Sequence, residues 1–146
     1  MELKTSEMLT RLSEQERSKI EGRLAELNGK SYQLKIRQQS VSARIHQLRQ
    51  QRDQAFKMRN SAALLMIFEA SVHEQQSELN HIKARLCMLE ERRESILQSL
   101  AEAQHKHHAF EIVHNKEARN QSRRANNHAQ RQLDDLTASR TSMASA

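Results

Sequence analysis

A chain of 146 residues with no Pro, two Gly, three Phe and no Trp lacks the aromatic mass and turn residues that a globular core of this size needs. Apolar residues at 36% and charged residues at 29% place it between globular and disordered compositions, and without Pro nothing interrupts a helical backbone. The net charge of +6 is unevenly spread: residues 1–30 sum to zero, 31–60 to +6, 61–104 to −3 and 105–146 to +3.

The first predicted element is a helix over about residues 3–57. Alternating steps of four and three from Ile20 pick out Leu24, Leu27, Ser31, Leu34, Gln38, Val41, Ile45, Leu48, Arg52 and Ala55, and eight of these eleven positions are apolar. That period is the 3.5 of a coiled coil. Leu9 and Leu12 fall out of phase with it, which predicts a stutter or fraying near the N-terminus. Gly22 and Gly29 are the weak points of the helix, at about 1 kcal/mol each relative to Ala.

A turn is expected at about residues 58–62, with Asn60 or Ser61 as N-cap of a second helix. That helix covers about residues 62–136. Its seam is Leu65, Phe68, Val72, Gln75, Leu79, Ile82, Leu86, Leu89, Arg93, Ile96, Leu100, Ala103, His107 and Phe110, of which eleven of fourteen are apolar. Beyond Phe110 the seam fades, and residues 137–146 read as a small, polar, flexible tail. If the chain folds back near residue 60, the basic second quarter faces the acidic third and helps set an antiparallel register. The expected fold is therefore all-α: one domain over 1–136, two long antiparallel helices forming a coiled-coil hairpin. A single continuous helix that dimerises is the alternative. The hairpin is favoured because it buries both seams without an association cost.

Cys87 is the sole cysteine, so no intrachain disulfide and no CxxC zinc site are expected, and a reducing compartment fits best. The first ten residues lack the apolar run of a signal peptide, and the longest apolar run, Ala62 to Phe68, is too short to cross a bilayer. The expected location is cytosolic, without membrane insertion. No Gly-rich phosphate loop is present, and two helices offer no closed pocket for catalysis, so neither enzymatic activity nor a cofactor is expected. The adjacent pairs Glu90–Glu91 and Asp134–Asp135 point to different faces of a helix and read as solvated charge.

His105, His107, His108 and His114 cluster. His105 and His108 share a face, but nothing nearby completes a tetrahedral metal set. His107 lies on the seam, where a polar residue more often sets register than binds a ligand. Arg52 and Arg93 also interrupt the seams; either their stems snorkel to water or the breaks leave a face for a partner. Arg119, Arg123 and Arg124 share one side of the second helix, with Arg131 further on. Without aromatics for stacking or a recognised module, nucleic acid is not the expected partner. From His114 to Gln132 the helix outlasts its apolar seam, so these arginines are better explained by a protein partner than by the fold.

The stretch Leu86 to Arg140 resembles the C-terminal helix of the FliJ/YscO/HrpO family of type III secretion and flagellar export stalk proteins. The resemblance rests on the leucine heptads, on Phe110–Glu111, on the Arg-, Glu- and Gln-bearing run Lys116 to Arg124, and on the ending Gln132–Leu133–Asp134–Asp135. The length, the break near residue 60 and the restart Ser61–Ala62–Ala63–Leu64–Leu65 also fit. The His-rich 105–108 and the Ala- and Asn-rich 125–129 depart from the denser Arg/Glu run of the family. The resemblance implies a stalk, of virulence or flagellar type, linking a hexameric secretion ATPase to the cytosolic domain of an export-gate protein, with secretion chaperones as further partners. Arg119, Arg123, Arg124 and Arg131 are then the expected ATPase-facing residues. Gln38, Val41, Ile45, Phe68, Val72 and Gln75 are the expected gate-facing ones. The competing reading is a self-associating structural coiled coil with no ATPase partner.

Overall fold

A computed structural model describes residues 2–59 and 61–145 and shows an all-α antiparallel hairpin of two helices. Helix α1 spans Leu3–Lys57 and α2 spans Ala62–Ser145. The chain reverses between the two helices. The amide of Met58 still donates to the Gln54 carbonyl at 3.0 Å, and that of Arg59 tightens to the Phe56 carbonyl at 3.1 Å. Arg59 has φ of 53°, the left-handed conformation that ends many helices and is strained for any residue with a Cβ. Ser61 then caps α2, its Oγ accepting from the Leu64 amide at 3.3 Å. The other expected cap, Asn60, lies outside the described residues.

The chain divides into two compact units, Ile20–Ser99 and Met1–Lys19 with Leu100–Ala146. In the first, the core is Val41, Ile45, Leu48, Val72, Leu79 and Ile82, with Leu34, Phe68 and Leu86 packed against it. Leu48 and Val72 share this core, with Phe68 packed against it. Leu27 and Ala55 are also buried, while Leu24, Leu65, Leu89 and Ile96 are half-buried. Arg37 donates to Glu78 Oε1 at 2.6 and 2.9 Å, and Arg52 donates to Glu69 Oε1 at 2.7 Å. These two pairs join the basic stretch of α1 to the acidic stretch of α2. The Arg52 guanidinium is held above its already high ordinary pKa, first by the hydrogen bond to Glu69 and then by that to Asp53.

In the unit that holds both chain ends, the seam becomes polar. Ser6 and Ser13 are fully buried, Thr10 and Arg17 are half-buried, and Leu12 is 53% exposed. The heptad phase therefore continues through the start of α1 without the stutter that Leu9 and Leu12 suggested. Small hydroxyl side chains hold the inward positions instead. Facing them are Ala103, which is buried, and the half-buried His107, Phe110, Val113 and His114. Helix α2 then continues to Ser145, beyond the end expected near 136. Residues 137–145 are helical rather than irregular, with Thr137, Thr141 and Ser145 each donating a hydroxyl to the carbonyl four residues back.

Candidate partner-binding surfaces

Two side-chain pairs cross the seam of the unit that holds the chain ends. Ser13 Oγ lies 3.0 Å from His107 Nδ1, and Ser6 Oγ lies 3.1 Å from His114 Nδ1. Each hydroxyl has one proton, and each donates it at 2.8 Å within its own helix, Ser13 to the Thr10 carbonyl and Ser6 to the Leu3 carbonyl. With the hydroxyl proton so directed, Nδ1 is the donor to the serine oxygen in each pair. His107 thus pairs with Ser13 across the seam. The seam pairing of its counterpart His114 was missed in the sequence, where the available signal was the matching spacing of seven between Ser6 and Ser13 and between His107 and His114. His105 and His108 are exposed, with His108 Nδ1 4.0 Å from Glu111. Among the described residues, no group of three or more His, Cys, Asp or Glu side chains is placed to hold a metal ion.

The start of α1 lies against α2 at a shallow hollow lined by Glu2, Leu3, Lys4, Glu117, Asn120, Gln121 and Arg124. From residue 121 to 145 every residue of α2 is exposed, so the helix runs on as a free arm of about seven turns. Arg119, Arg123, Arg124 and Arg131 are all exposed, and none forms an ion pair among the described residues. The arm carries a second feature that was not foreseen. Ala125, Ala129, Leu133, Leu136 and Met143 recur at helical spacing on one side, and the last three are 59%, 60% and 77% exposed. A stripe of this kind has the spacing of a packing face but no neighbour to pack on among the described residues.

The six residues expected to face an export gate divide differently. Val41, Ile45 and Val72 are 2%, 5% and 8% exposed, so their side chains belong to the core. Gln38, Phe68 and Gln75 are half-buried at its edge. A helix cannot offer the same side chain to its hairpin partner and to a third surface. The large apolar side chains that stand exposed in this part of the hairpin are instead Ile36, Phe56, Met66 and Ile67, with 49%, 71%, 72% and 62% exposure.

Nearly the whole chain, and not only its heptads, fits one family pattern. The model of the flagellar FliJ protein family matches residues 5–145. The chain belongs to the FliJ family. A search of the curated proteins and one of the solved structures return no match. The FliJ family belongs to the flagellar and type III export stalk proteins, which are structural export components and not an enzyme family, and membership associates the chain with an export apparatus. No helix among the described residues is long and apolar enough to cross a membrane.

Proposed function

We propose that this FliJ-family chain is the stalk that links a hexameric secretion ATPase to the cytosolic domain of the export gate, working at the cytosolic face of the apparatus. The observation that carries the reading is the free arm of α2. Residues 121–145 stay helical with every side chain exposed, although a helix without tertiary packing is marginal in water. Arginines with no ion-pair partner among the described residues on one side, and an apolar stripe on another, give that arm both an electrostatic and a packing reason to enter a partner. An ATPase ring whose inner wall is acidic or carbonyl-lined complements the arginines, with charge guiding orientation and encounter more than raw affinity. Toward the turn, the exposed Phe56, Met66 and Ile67 are the side chains offered to the gate. Secretion chaperones are further partners in this reading.

The test is the double reversal Arg123→Glu/Arg124→Glu in cells that secrete. ATPase co-purification and secretion should fall, the residual binding should weaken further as salt rises, and helicity should be unchanged because both side chains are exposed. Wild-type co-purification and secretion would instead make the arm a self-associating surface, the reading of a structural coiled coil.

A further inference from the structure

Within the unit Ile20–Ser99, a groove of about 680 Å³ runs between the helices, lined by Lys30, Gln33, Leu34 and Arg37 of α1 and by Arg85, Met88, Leu89 and Arg92 of α2. Its wall residues are four cations and no carboxylate. Lys30 and Arg37 are seven residues apart, as are Arg85 and Arg92, so each helix offers two positive charges about 10 Å apart along the groove. Leu34 and Leu89 form the floor, and Met88, 55% exposed, stands at the rim. Lys30 is near Glu26 at 3.5 Å and Arg37 is held by Glu78 at 2.6 Å. Arg85 and Arg92 are exposed and have no ion-pair partner among the described residues.

We propose that this groove docks an acidic amphipathic helix of a partner protein. An apolar floor between two cation-lined walls matches a helix whose apolar stripe is flanked by carboxylates at the heptad spacing, and such a helix would complete a local three-helix packing. Met88 suits the role, because its unbranched thioether adapts to different neighbours. A flat anionic bilayer cannot enter a groove between two helices. A second copy of this chain fits poorly as the occupant, because residues 125–145, its own uncovered helix, balance Arg131 and Arg140 against Asp134 and Asp135 and so bring no excess negative charge. The docking site goes beyond the ATPase reading and uses none of its residues.

The experiment titrates the full chain into a fluorescein-labelled synthetic peptide of about three heptads, with Leu at the seam positions and Glu flanking them. Anisotropy is compared with a scrambled peptide of the same composition. The acidic amphipathic peptide should bind at least roughly ten-fold more tightly than the scrambled one, a difference of about 1.4 kcal/mol. Arg85→Glu/Arg92→Glu should remove that preference, and Arg123→Glu/Arg124→Glu should keep it. Circular dichroism checks folding, and Arg85→Gln/Arg92→Gln serves if the reversal variant proves unfolded. Equal binding of both peptides, or a preference that survives loss of Arg85 and Arg92, overturns the proposal. So does sedimentation showing that the groove mediates self-association, or tighter capture by phosphatidylserine vesicles that depends on the same two arginines.

Discussion

Ser13 on α1 and His107 on α2 meet across the seam with Oγ and Nδ1 3.0 Å apart, and the same two residue types meet one heptad further along each helix as Ser6 and His114. These pairs stand where leucine faces apolar residues elsewhere in the coil. A neutral hydrogen bond contributes about 1 kcal/mol net, whereas burying a full Leu or Val side chain contributes about 1.5–3 kcal/mol. The polar pairs therefore sacrifice stability, and what they supply is register, since an imidazole donor has a partner only when the heptads align.

The double substitution Ser13→Val/His107→Leu should raise the stability of the hairpin by about 1–2 kcal/mol. Ser13→Ala alone should lower it by about 1 kcal/mol, because His107 Nδ1 loses its acceptor and a gap remains. Thermal melts of both variants check the two signs together. If the double substitution destabilises, the polar pairs hold the helices together rather than align them.

Strain at the reversal leads to a second expectation. Arg59 adopts φ of 53°, which costs a residue with a Cβ about 1 kcal/mol. Arg59→Gly should raise the melting temperature. In the helix interior the opposite exchange applies: a Cβ added at Gly22 or Gly29 would meet nothing within 4 Å. Gly22→Ala and Gly29→Ala should each stabilise by about 0.5–1 kcal/mol. A loss of stability in Arg59→Gly would show that its side chain, and not its backbone, matters at the turn.

The Arg52–Glu69 pair sets a pH expectation. Hydrogen bonds to Glu69 and Asp53 raise the Arg52 pKa above a value that is already high. A base with a raised folded pKa contributes fully below its unfolded pKa, and the contribution is lost only as pH rises through the folded value. Both lie above the range in which proteins are studied. The difference in melting temperature between the wild type and Arg52→Gln should therefore be constant between about pH 6 and about pH 9. A difference that fades on the alkaline side of that window would assign the effect to another group.

The core was legible because its signal is periodic. Val41, Ile45, Leu48, Val72, Leu79 and Ile82 recur at 3.5 residues, and apolar burial follows that recurrence directly. The start of α1 was not, because Ser6 and Ser13 carry no hydrophobic signal and their partners His107 and His114 lie about a hundred residues away. The end of α2 was misread for a related reason: Thr137, Thr141 and Ser145 look like tail residues, yet each returns its hydroxyl to the helix backbone. At the surface, the exposed arginines of the arm were readable from charge alone. Its apolar stripe was not, because two of its members are alanines. The gate-facing set could not be separated from the seam, since both readings use the same large apolar positions.

In the stalk reading, the free arm of α2 exists for a partner. Truncation after Gln121 tests this most directly, because every residue from 122 to 145 is exposed and only Arg124 among them lines the hollow at the start of α1. The shortened chain should melt at the wild-type temperature and fail to co-purify with the secretion ATPase. Undiminished ATPase co-purification by the truncated chain would contradict that role for the arm.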